Sequence, residues 1–138
     1  YQRKISGPIV DRIDMWIEVA NISHEKLSEK GDGSKESVEK RKNVLKARAT
    51  QEKRFEYAKG RVRTNSEMTS KDIAMIIELS EGVQKTLNDA ARSMDLSPRA
   101  YHRVIKLART IADLDDSKEV EEKHIFEALQ YRPKQTVN

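Results

Sequence analysis

Ser97-Pro98-Arg99-Ala100-Tyr101-His102-Arg103-Val104-Ile105-Lys106-Leu107-Ala108-Arg109-Thr110-Ile111-Ala112-Asp113-Leu114 is the stretch that decides the fold. A serine followed by proline marks a helix start. The hydroxyl can accept from an orphan amide, and proline needs no partner at the first helical position. Behind it Tyr101, Val104, Ile105, Ala108, Ile111 and Ala112 fall on one stripe at helical spacing. The same grammar recurs on both sides. Thr69 or Ser70 caps a short helix with Asp72 in its first turn and Ile73, Ile76 and Ile77 on one face. Ser80 opens another, with Val83, Leu87, Ala90, Ala91 and Met94 at spacings of four, three, one and three. Glu121 to Tyr131 forms the last, with Ile125, Phe126 and Leu129 inward. Four amphipathic helices with short links predict a small bundle.

Upstream the pattern changes. From Ser37 to about Tyr57 a long helix is predicted, with few apolar positions: Val38, Val44, Leu45, Ala47, Ala49 and Phe55. Arg41, Lys42, Lys46, Arg48, Lys53 and Arg54 dominate the rest, so the helix should project or pack on one side only. Gly60 to Ser66 is a polar linker, Gly31 to Ser34 a flexible break, and His24 to Lys30 a short helix. Near the start, Ser6 or Gly7 caps a single turn opened by Pro8. Ile13, Met15, Ile17 and Val19 then alternate with Asp14, Trp16, Glu18 and Ala20, which predicts a strand. A lone strand has nowhere to send its ladder hydrogen bonds. The expectation is therefore a mainly α chain: the edge of an α/β core at 1–22, a linker and long basic helix at 23–66, and a helical bundle at 67–138. A start at Tyr1 fits a piece of a longer protein.

Composition narrows the function without naming it. The 138 residues carry a formal net charge of +4, which suits a phosphate or nucleic-acid partner but equally a solvated helical surface. The absence of cysteine excludes disulfides and thiolate metal sites within these residues. No apolar run approaches the ~20 residues that span a bilayer, and no secretory signal opens the chain, so a cytoplasmic protein without a membrane partner is expected. His24, His102 and His124 lack ligand spacing, and no metal site is expected. No Ser/His/Asp set or carboxylate pair stands out.

Several motifs in order resemble one family. Lys4 to Asp14, with Ser6-Gly7-Pro8 and Asp11-Arg12-Ile13-Asp14, resembles the S-G-P-L-L-D-R-I-D motif of ComM/YifB-type magnesium-chelatase-like AAA+ ATPases. Arg41, Val44, Ala47-Arg48, Gln51 and Arg54 match the family's R-x-x-V-x-x-A-R-x-x-Q-x-x-R helix. Leu96 to Val104 is similar to its L-S-x-R-A-Y-x-R-I stretch. Ala108 to Leu114 matches A-R-T-I-A-D-L, and His124 with Glu127 to Arg132 fits its closing motif. The likeness weakens from about Ser23 to Lys35 and after Pro133. The family's phosphate-binding loop, acidic Mg²⁺ motif and cysteine-rich segment do not fall within these residues. The resemblance implies an AAA+ core edge followed by a lid. It also implies a ring of like subunits, a hexamer in the family, that uses ATP and Mg²⁺ as the full-length protein and acts on DNA.

The resemblance gives particular arginines roles, each with a plainer alternative. Arg12 is implied as a finger that reaches a neighbour's nucleotide, where an always-charged fork stabilises phosphoryl charge. It could instead pair with Asp11 or Asp14. Arg99 occupies the sensor-2 position of the lid. A cation in a first helical turn opposes the helix dipole by ~0.3–1 kcal/mol, which suggests a nearby anion. The alternative is a surface arginine whose stem covers Tyr101 or the preceding helix. Arg103, four residues on, either extends the phosphate patch or caps a carbonyl. Arg109 is expected to pair with Asp113. Arg41, Arg48 and Arg54 could face DNA, making binding salt-dependent, or form a solvated face with Glu39 and Glu52. A second reading of the whole is a non-enzymatic DNA-binding module built on helix 37–57.

Overall fold

The structure is a computed structural model that describes residues 9, 12–21, 33–58 and 60–132. Among these it holds five α-helices and no strand. Helix α1 spans Gly33–Arg54, α2 Ser70–Ile76, α3 Glu81–Ser93, α4 Pro98–Leu114 and α5 Glu122–Gln130. Short 3₁₀ turns at Glu56–Ala58 and Asn65–Glu67 join α1 to α2. The chain is mainly helical, as the periodicity predicts. The turn at Ser6 to Pro8, the helix at His24 to Lys30 and Gly31-Asp32 lie outside the described residues.

Each bundle helix starts where its cap chemistry places it. Thr69, Ser80 and Ser97 are N-caps, their hydroxyls accepting from the amides of Asp72, Val83 and Ala100. Asp72 closes a capping box by accepting from the Thr69 amide at 2.8 Å. Arg61 donates to the same carboxylate at 2.8 Å, and this fork with the Thr69 hydroxyl and amide holds the Asp72 carboxyl far below the usual range. Helix α5 begins differently. The Glu121 amide donates to His124 Nδ1 at 2.9 Å, so that nitrogen is unprotonated and Nε2 faces Asp115 at 3.3 Å.

Helix α4 is the axis of the packing. It lies against α1, α2 and α5, and α5 also packs on α3. Leu87, Ala108 and Ile125 are wholly buried at the centre, with Val83, Val104, Ile105 and Val120 around them. Burying a Leu or Ile side chain contributes about 1.5–3 kcal/mol, so this cluster is the main source of stability. Two expectations need correcting. Phe126 is 52% exposed, and the buried histidine His124 takes the inward place beside Ile125 and Ala128. The helix face that meets the core is set by the cap at Glu121, which draws His124 in. The linker at Gly60 to Ser66 is also more than a tether, since Val62 and Asn65 are buried.

Helix α1 starts at Gly33, earlier than Ser37, and runs for 22 residues, about 33 Å. Only its C-terminal part reaches the core, through Ala47 and Gln51 and then Phe55. Val38, Val44 and Leu45 stay exposed, in line with the thin stripe. Residues 13–20 do not pair as a strand among the described residues, because no neighbouring strand is present there. The segment is instead tied to the bundle: the Trp16 amide donates to the Tyr131 carbonyl at 2.7 Å.

Candidate functional site

The N-terminal half of α4 presents Arg99, His102, Arg103 and Lys106 along one side, at the i, i+3, i+4 and i+7 positions that helical geometry stacks. Pro98 fills the first position and Ser97 caps the end. Arg99 is exposed in the first turn, where no acidic side chain offsets it. The segment at 12–14 docks against this side. A turn closes with the Arg12 amide donating to the Ile9 carbonyl at 2.9 Å. Arg103 Nη1 then donates to the Ile13 carbonyl at 2.6 Å, and its Nε lies 3.9 Å from Asp14 Oδ1.

The result is an open cleft of about 680 Å³ that brings Arg12 and Arg99 to the same walls. Arg103 and Lys106 line it too, so four cations face one carboxylate, Asp14. Lys106 also donates to the Ser66 carbonyl at 2.8 Å, which anchors its stem at the rim. Such a surplus in a concave surface suits a compact anion such as phosphate. It does not suit Mg²⁺, because a divalent cation needs oxygen ligands and the sole carboxylate already faces Arg103. Among the described residues no group of three or more His, Asp or Glu could hold a metal ion.

The other candidate arginines separate. Arg41 and Arg48 are exposed on α1. Arg48 lines a second open cleft of about 740 Å³ with Lys53 and Arg63, next to Glu52 and Glu56. Arg54 does not belong with them. Its guanidinium turns inward and clasps both oxygens of Asp113, Nη1 donating to Oδ2 at 2.7 Å and Nη2 to Oδ1, and Nη1 also donates to Asn65 Oδ1 at 2.9 Å. An interior carboxylate needs cations, and Arg54 supplies one of them. Arg109 pairs with Asp113 as its spacing predicts, with Nε at 3.1 Å, and extends to the carbonyls of Ser117 and Lys118. Burial would raise the Asp113 carboxyl, but Arg54, Asn65 and Arg109 outweigh it and hold it below the usual carboxylate range.

Sequence reasoning missed Lys106 and the Arg54–Asp113 clasp. The signal for Lys106 was there, since it stands seven residues after Arg99 on the same face. No signal existed for the clasp, whose partners are 59 residues apart.

Among the described residues no helix is long and apolar enough to cross a membrane. The family described as magnesium chelatase, subunit ChlI C-terminal, matches residues 34–132. Competence protein ComM of Haemophilus influenzae is 37% identical over 132 residues, covering 96% of this chain and 25% of that protein. The uncharacterized YifB proteins of Escherichia coli and Salmonella typhimurium are 31% and 29% identical over the same span. The chain thus spans about a quarter of the length of the curated relatives it matches. With a helical bundle centred on α4 and a match across α1 to α5, the chain belongs to the magnesium chelatase ChlI C-terminal family, and within it is similar to the ComM and YifB proteins.

Proposed function

We propose that this chain completes an ATP site in a ring-forming motor that acts on DNA in the bacterial cytoplasm. Arg12 serves as a trans-acting finger and Arg99 as the lid's sensor-2 contact. One observation carries the reading: two arginines 87 residues apart in sequence line a single cationic cleft. A site that holds both favours one nucleotide bound between this subunit and its neighbour in a hexameric ring. ATP supplies the phosphoryl group and Mg²⁺ neutralises part of its charge; the Mg²⁺ ligands belong to residues outside this chain. Arg12 and Arg99 then add fixed positive charge where the phosphoryl group parts from the diphosphate, an effect of about 10³–10⁵ in rate for a finger. Arg103 and Lys106 shape the cleft that holds them. The described residues alone carry no phosphate-binding loop, and the separate chain is expected to hydrolyse no ATP.

The test is steady-state ATP turnover by the full-length protein carrying Arg12→Ala. Turnover should fall at least a hundredfold with the melting temperature unchanged. Near-normal turnover would remove Arg12 from the mechanism.

A non-enzymatic DNA-binding module remains a second reading, favoured by the cleft where Arg48 meets Lys53 and Arg63. Arg41 would extend that surface along α1, while Arg54 is spent in the interior. It predicts duplex or single-strand binding that weakens steeply with salt and is reduced by Arg48→Ala. Undetectable binding at low salt would end it.

A further inference from the structure

We infer that Arg103 is a positioning residue that locks the Arg12 turn to the lid helix, so that Arg12 and Arg99 meet phosphate as one rigid pair. The inference rests on the reading of Arg12 as the finger.

The geometry separates Arg103 from its neighbours. Arg12 and Arg99 are exposed, whereas the Arg103 side chain is only 14% exposed. Its Nη1 donates to a main-chain carbonyl, that of Ile13, at 2.6 Å. That carbonyl belongs to the residue directly after Arg12. A charged donor on a neutral carbonyl contributes more than an ordinary hydrogen bond. The guanidinium also has Asp14 on its other side, at 3.9 Å. One planar fork therefore engages the two residues that follow the finger. Its stem passes between Ala100, Val104 and Ile13 in a crevice too small to admit a ligand.

The consequence follows from helix geometry. Arg99 and Arg103 stand one turn apart on α4, whose other face is packed into the core from Ala100 to Asp113. Fixing the Ile13 carbonyl to Arg103 thus fixes the distance between Arg12 and Arg99. Without the link, the 12–14 segment loses its charged hydrogen bond to α4, and the next backbone tie to the bundle is the Trp16 amide on the Tyr131 carbonyl. A finger displaced by about 1 Å can lose roughly a hundredfold in rate, so the link matters to turnover more than to binding.

The experiment uses the full-length protein and reads ATP turnover and thermal melting. Arg103→Met keeps the stem and removes the fork. It should lower kcat about tenfold or more, leave KM for ATP within about threefold and melt normally. Arg103→Lys, which still offers a charged donor to the Ile13 carbonyl, should recover most of kcat. Adding Arg103→Met to Arg12→Ala should slow the enzyme no further, because the positioned group is already gone. Additive losses, or a rise in KM with kcat intact, would overturn the inference and make Arg103 a phosphate ligand in its own right. Should Arg103→Met fail to fold, Asp14→Lys decides, since that exposed site tolerates substitution and a second cation there drives the turn away. Unchanged kcat in Asp14→Lys would overturn the link. Normal turnover of Arg12→Ala is a different failure: it removes the finger and this inference with it. A dead Arg12→Ala beside an active Arg103→Met removes the link alone.

Discussion

The two ends of α4 hold arginines in opposite states. At its C-terminal end Arg109, with Arg54 from α1, closes on the buried carboxylate of Asp113, and Asn65 fills a further position on it. At its N-terminal end Arg99, Arg103 and Lys106 crowd around a cleft with one carboxylate in reach. The same side-chain chemistry gives a closed knot, with two guanidinium groups sharing one buried carboxylate, in one place and an open cluster of cations in the other. The knot spends its charge on holding α1, the Asn65 turn and α4 together. The surplus is tolerated against the helix dipole, which is the mark of a surface arranged for something other than stability.

That contrast predicts a large effect at the knot. Asp113→Ala leaves two guanidinium groups facing one another in the interior and should cost about 3–5 kcal/mol in a urea unfolding experiment. Lys46→Ala, which removes an exposed pair with Asp116, should stay within about 0.5 kcal/mol. Equal effects would erase the distinction between buried and exposed pairs.

Acid should read the same contrast at intermediate scale. The folded Asp113 and Asp72 carboxyls lie below their ordinary range, the first against burial and the second through Arg61 and Thr69. Their stabilisation is therefore fully present above an unfolded carboxylate pKa of about 3.9 and is lost as pH falls through the lower folded values. Urea midpoints should be flat near neutrality and drop below about pH 4. Asp72→Asn should make that drop shallower, and an unchanged slope would take Asp72 out of the acid response.

On stability, a small effect of opposite sign belongs to the cleft. Arg99→Ala should leave the melting temperature unchanged or raise stability by about 0.3–1 kcal/mol, because it removes a cation from a helix start. In the full-length protein the same change should weaken ATP turnover. A loss of stability instead would class Arg99 with Arg54 as a structural arginine.

The sequence made the bundle legible because its signals are local. Thr69, Ser80 and Ser97 cap where hydroxyls precede apolar periodicity, and Arg109 finds Asp113 one turn away. What failed was decided over distance. Arg54 looked like part of a basic surface because its partner lies on another helix. Phe126 looked inward because an aromatic normally is, yet the His124 cap rotates that face to solvent. The strand at 13–20 shows the limit of a period-two pattern, which names a preference but cannot supply a neighbour to pair with. For the candidate site, spacing put Arg99 and Arg103 on one face, whereas only the fold could bring Arg12 beside them.

The tie between Trp16 and Tyr131 has a consequence for the order in which the molecule assembles. Helices α4 and α5 touch through contacts that are near in sequence, and these can form early. The segment holding Arg12 instead closes a loop that embraces most of the chain, through the hydrogen bonds that join Ile13 to Arg103 and Trp16 to Tyr131. Closing so long a loop carries an entropic penalty that grows only slowly with its length, but it is repaid only once both anchors exist. The Arg12 turn is therefore expected to dock last and to lift away first, before the bundle beneath it opens.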